Sequence, residues 1–166
     1  MSYIATVLTR SADHWAGRDA DLSDVGDLDA LADLLREDGA DVALCLLEED
    51  DEYVAIVRVD AEADDPRVFL SDKRVLDATG VAARLFADAL EAAVVAVADE
   101  DEEDDEESGR PEVEPVGDDD LLADLGVGAG RLVQLCSQEG MLPSDVIFAV
   151  AEDIGASDVL EQVRGV

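Results

Sequence analysis

Apolar and polar positions along the chain change period several times, and each change marks a candidate element. Tyr3-Ile4-Ala5-Thr6-Val7-Leu8 has the β-branched richness of a strand, and Trp15 marks a second short strand after a turn at Ser11-Ala12-Asp13. Leu28, Leu31, Ala32, Leu34 and Leu35 recur at helical spacing with acids between them. This pattern predicts an amphipathic helix with Asp27 as N-cap and Gly39 as its stop. Val42 to Leu47 is a continuous apolar run and Tyr53 to Val59 a further strand. The Glu48-Glu49-Asp50-Asp51-Glu52 stretch between them reads as a hairpin connection too polar to be buried. Asp64-Asp65-Pro66 is a turn signal leading into a short strand from Arg67 to Leu70. Consecutive strands with short connections predict an antiparallel meander, not a parallel nucleotide-binding sheet. Val81 to Ala98 is Ala-rich and predicts a buried helix, with a strand left open for Val94-Val95-Ala96-Val97.

Beyond this, the pattern collapses into charge and then recovers. Asp99 to Glu107 is a run of nine acids, followed by Ser108-Gly109-Arg110-Pro111 and by Pro115. Mutual repulsion and the lack of anything to bury predict a disordered linker. Residues 121–166 then offer apolar stripes: Leu121 to Leu125 stopped at Gly126, Arg131 to Glu139, a helix opened by Pro143 and ended at Gly155, and a last turn capped by Ser157. So short a bundle is marginal alone and is expected to dock on another surface. The fold class expected is α+β: an N-terminal antiparallel sheet with packed helices (1–98), an acidic linker (99–120) and a small C-terminal helical subdomain (121–166).

Composition sharpens this picture. The 166 residues are 48% hydrophobic but only 4% aromatic, so the core must be built mainly from Ala, Val and Leu. The formal net charge is −33, from 44 acidic and 11 basic residues. Residues 99–120 hold 14 of those acids and one of the bases. Such a chain repels nucleic acid and anionic membranes alike, and a basic protein surface or a cation suits it better. A GC-rich genome or adaptation to high salt also produces background acidity of this kind. The longest apolar stretch, Ala92 to Ala98, is far below the roughly 20 residues of a spanning helix. Met1 to Arg10 has no basic-then-apolar leader pattern, so a cytoplasmic location is expected. Cys45 and Cys136 sit in apolar runs, as buried free thiols do.

Candidate chemistry is sparse. Ser-His-Asp or Cys-His catalysis has to use His14, which is expected at a surface or edge. No paired Cys or His spacing supports zinc. Asp19, Asp21 and Ser23 imitate the opening of a calcium loop, but Asp24 and Ala30 stand where such a loop needs Gly and Glu. Gly126-Val127-Gly128-Ala129-Gly130 has no dinucleotide spacing and follows a helix, so a helix–helix joint is expected there. These readings predict a protein with no catalytic residues, no cofactor and no metal site. The candidate interaction residues are Asp99, Glu100, Asp101, Glu102, Glu103, Asp104, Asp105, Glu106 and Glu107.

The order of motifs carries a resemblance. Tyr3 to Leu8 with Trp15 is followed by Asp27-Leu28-Asp29-Ala30-Leu31-Ala32, Leu46 to Tyr53, Val57-Arg58-Val59-Asp60 and Pro66 to Asp72. Leu121 to Gly126 and Leu142-Pro143-Ser144-Asp145-Val146 close the series. Together they resemble the tRNA adenosine deaminase-associated proteins, a bacterial family. The resemblance implies a non-catalytic accessory protein, with tRNA adenosine deaminase or another basic protein as partner. It transfers no site residues, and it leaves oligomeric state open. The deaminase itself uses His-x-Glu and Pro-Cys-x-x-Cys zinc elements, which are absent from this chain. The alternatives are a general acidic adaptor or nucleic-acid mimic for other basic proteins, and an enzyme working through carboxylates and a divalent metal.

Overall fold

A computed structural model describes residues 3–49, 52–63, 65–72, 83–86, 115–138 and 140–165. Six strands form one antiparallel sheet in the order β2-β1-β3-β4-β5-β6. They are β1 (Tyr3–Ser11), β2 (His14–Asp19), β3 (Val42–Glu49), β4 (Tyr53–Asp60), β5 (Arg67–Leu70) and β6 (Val116–Gly117). The helices are α1 (Leu28–Arg36), α2 (Ala129–Ser137), α3 (Pro143–Ile154) and α4 (Ser157–Arg164), with a 3-10 turn at Ala123–Leu125 and a helical turn at 83–86. The expected α+β class is the observed one.

Local chemistry accounts for the elements. Ser11 pairs with His14 across a two-residue turn in which Ala12 and Asp13 take positive φ angles of 51° and 77°. That geometry matches the twist of the flanking strands. Asp27 caps α1 by accepting from the Ala30 amide at 2.9 Å. Gly155, at φ 87°, ends α3 in the left-handed conformation that glycine adopts at least cost. Ser157 is the first residue of α4, not its cap; Ala156 holds the cap position with no side-chain bond.

Why β3 and β4 read as unbroken apolar runs becomes clear from the layering. Successive side chains of a strand point to opposite faces, and here both faces are covered. On one face Ala5, Val7, Ala43, Cys45, Leu47, Ala55, Val57 and Val59 pack against Leu31, Ala32 and Leu35 of α1 and against Leu85 and Phe86. On the other, Leu8, Leu44, Leu46, Val54, Ile56 and Phe69 pack against the C-terminal segment, including Leu122, Leu132, Ile147, Val150 and Leu160. The second core is shared between the sheet and residues 121–165, so the C-terminal helices dock on their own chain. Within the stretch expected as linker, Val116 and Gly117 pair with Leu70 and Phe69. The acidic run Asp99–Glu107 and most of the helix expected over Val81–Ala98 lie outside the described residues.

A further expectation is overturned. Glu48 and Glu49, read as part of an exposed connection, complete β3 and are buried at 6% and 5% exposure. Each has a partner: Arg164 Nη1 donates to Glu48 Oε1 at 2.9 Å, and the Tyr53 hydroxyl donates to Glu49 Oε1 at 2.7 Å. Buried carboxylates persist only when so compensated.

Candidate functional site

The residues nearest to known catalytic chemistry are placed apart. His14 is exposed at the start of the edge strand β2. Cys45 is buried in the α1-side core and Cys136 is half-buried on α2, both free. Burial pushes both thiols up to about 12, so neither is a thiolate near neutral pH. Asp21 closes its own turn, accepting from the Ser23 hydroxyl at 2.7 Å and the Ser23 amide at 3.0 Å. Those bonds hold its carboxyl below the usual value. In the glycine cluster, Gly126 sits at φ 121° and a Cβ there meets the Asp153 carbonyl oxygen at 2.8 Å, while Val127 is fully buried. It is a packing joint between the 3-10 turn and α2. Among the described residues no three His, Cys, Asp or Glu gather as a metal-holding group. No helix among them is long and apolar enough to cross a membrane.

Two ionic fastenings bind the C-terminal segment to the second sheet face. Arg58, 5% exposed, donates to both carboxylate oxygens of Asp124 at 2.6 and 2.9 Å, to the Leu121 carbonyl at 2.6 Å and to Asp60 at 2.9 Å. Beside it Arg67 donates to Asp118 at 2.5 Å and to Asp120 at 3.2 Å. Hydrogen bonds from Arg58 and Arg67 hold the Asp124 and Asp118 carboxyls below their usual range. At the opposite end Arg164 also reaches Thr6 Oγ1 at 3.3 Å and lies 5.8 Å from the Phe148 ring centroid.

A recess with binding character lies at the α1 end of the sheet. A cleft of about 310 Å³ is lined by Asp41, Asp60, Ala61, Glu62 and Ala63. An adjoining one of about 230 Å³, sharing Ala61, has walls from Leu35, Arg36, Gly39, Ala40, Ala43 and Val59. The Arg36 guanidinium donates to the Ala63 carbonyl at 3.4 Å. The loops before β3 and after β4 meet there because Val42 pairs with Asp60 and the Ala61 amide donates to the Asp41 carbonyl at 2.9 Å. An apolar wall beside an acidic rim suits the aliphatic stem and cationic head of a Lys or Arg side chain. No single stretch of the sequence reveals this recess. Its only local signal is two small, acidic turns, Gly39-Ala40-Asp41 and Asp60-Ala61-Glu62-Ala63, and strand pairing alone brings them together.

Comparison with known proteins gives one match. The model of a family described as Rv3753c-like tRNA adenosine deaminase-associated protein matches residues 3–157. No curated protein matches. No solved structure matches.

Proposed function

The chain belongs to the Rv3753c-like tRNA adenosine deaminase-associated protein family, and from that membership we propose that it is a non-catalytic cytoplasmic accessory protein that binds tRNA adenosine deaminase. Family membership is the observation that carries this reading. Charge supports it: an enzyme that handles tRNA needs a basic surface, and a chain of net charge −33 is attracted to such a surface. The cleft rimmed by Asp41, Asp60 and Glu62 offers a place for one basic side chain of the partner. The acidic run Asp99–Glu107 acts as a tethered competitor for RNA, its effective concentration raised by the folded segments on either side. The protein itself binds neither nucleic acid nor membrane.

Calorimetric titration against the tRNA adenosine deaminase of the same organism, at low and moderate salt, tests the proposal. Stoichiometric binding that weakens as salt rises is the expected result. Absence of binding at both salts overturns it. If unrelated basic proteins bind equally well, the chain is a general acidic adaptor instead. Removing residues 99–107 is expected to leave binding to the free enzyme largely intact and to abolish competition with tRNA.

A further inference from the structure

The two edges of the sheet are built differently. The β6 edge is only Val116–Gly117, bent at Gly117 (φ 103°) and closed by the Asp118 amide donating to the Val68 carbonyl at 2.8 Å. The β2 edge runs for six residues in unbroken register with β1, without bulge, proline or lysine. Bulges, proline and charged side chains normally blunt an edge, and of these β2 has only the charges of Arg18 and Asp19. Bonded and non-bonded pairs alternate along an antiparallel pair, and the residues flanking a two-residue turn are a bonded pair. Starting from Ser11–His14, the bonded partners of β1 are therefore His14, Ala16 and Arg18, and the Ala20 amide continues the series at 2.9 Å from the Ala5 carbonyl. Trp15, Gly17 and Asp19 direct their amides and carbonyls outward, where none of the described residues pairs with them. Beneath them the strand is held firmly. Gly17 lets α4 approach so closely that a Cβ there meets Val159 at 2.7 Å and Val163 at 2.9 Å.

We infer that β2 is a docking edge onto which an extended, cationic segment of the partner protein adds as a seventh strand. This rests on the accessory reading above and names the surface it uses. A second copy of this chain is a poor occupant. Pairing centred on Gly17 sets two α4 helices over strands about 4.8 Å apart, whereas packed helices need about 8–10 Å. A single extended segment carries no such helix. Its main chain bonds to Trp15, Gly17 and Asp19, and a Lys or Arg beside Asp19 answers the carboxylate on the α4 side. On the other side Arg18 is already occupied by Asp38 at 3.2 Å, so it does not repel that segment strongly.

The test compares Asp19→Pro, which removes one outward amide while keeping the strand's pairing to β1, with Asp19→Asn, which keeps the amide and removes the charge. Against the same organism's tRNA adenosine deaminase, Asp19→Pro is expected to weaken binding about tenfold or more, and Asp19→Asn less. In the unmodified protein, hydrogen exchange at the Trp15 and Gly17 amides is expected to slow on complex formation, a readout that does not depend on any variant folding. Unchanged affinity in a folded Asp19→Pro, or no added protection at those amides in a complex that does form, overturns the inference and leaves the accessory reading standing. Failure of the unmodified protein to bind overturns both. Protection of these amides in a homodimer without the enzyme overturns the choice of occupant.

Discussion

The two faces of the sheet are made by the same strands and held by different forces. Under α1 the strands present Ala5, Val7, Ala43, Cys45, Leu47, Ala55, Val57 and Val59, and the buried Glu49 at the end of this row accepts from the Tyr53 hydroxyl. Under the C-terminal helices the alternate positions include Thr6, Glu48 and Arg58, all buried at 6% exposure or less. The α1 face is closed mainly by dispersion and the hydrophobic effect. The other adds ion pairs that specify where the covering segment must sit: Arg58 selects Asp124, and Glu48 selects Arg164. A mainly apolar layer tolerates repacking, whereas a buried charge tolerates only its partner.

The largest effect that sharpens this contrast is expected from Glu48→Ala. It strands the Arg164 guanidinium, whose side chain is 8% exposed, and is predicted to cost about 3–5 kcal/mol in denaturant unfolding. Adding Arg164→Met should recover most of that loss, and a double variant as unstable as the single one breaks the contrast. Leu35→Ala on the α1 face is predicted to cost about 3 kcal/mol by leaving a cavity, with no rescue from any charge change. Asp27→Ala removes the α1 cap and should cost about 1 kcal/mol, read as a lower thermal midpoint.

Smaller and specific to one face is the response to acid. Asp118 and Asp124 titrate below the ordinary value of 3.8 in the folded state, so they bind protons less readily than in the unfolded chain. Their contribution is present above that value and fades as pH falls through their folded values. As pH falls below 3.8 the described C-terminal segment is expected to lose amide protection before α1 does. Asp120 is raised by its neighbour Asp118 and acts in the opposite sense, which keeps the effect modest. Equal loss of protection on both faces would falsify the assignment of the ion pairs to the C-terminal side.

Much of this architecture was legible because its causes are local. The turn at Ala12-Asp13, the Asp27 cap, the Gly155 stop and the runs in β3 and β4 each depend on residues within a few positions of one another. The Glu48–Arg164 pair was not legible, since the two lie 116 positions apart and Glu48 reads locally as one acid in an acidic turn. The recess at Asp41 and Glu62 was hidden for a related reason: its two loops become neighbours only when β3 pairs with β4. The candidate acids Asp99–Glu107 were conspicuous in the sequence, and they fall outside the described residues.

By itself the sequence determined most of the described secondary elements, the acidic net charge and the order of motifs that marks the family. Those properties follow from neighbouring residues, from net composition and from linear order. Tertiary structure decided which face each helix covers, which carboxylates are buried and which sheet edge is left unpaired among the described residues. Each of those outcomes depends on contacts between distant segments, where burial and charge pairing override what any short stretch prefers.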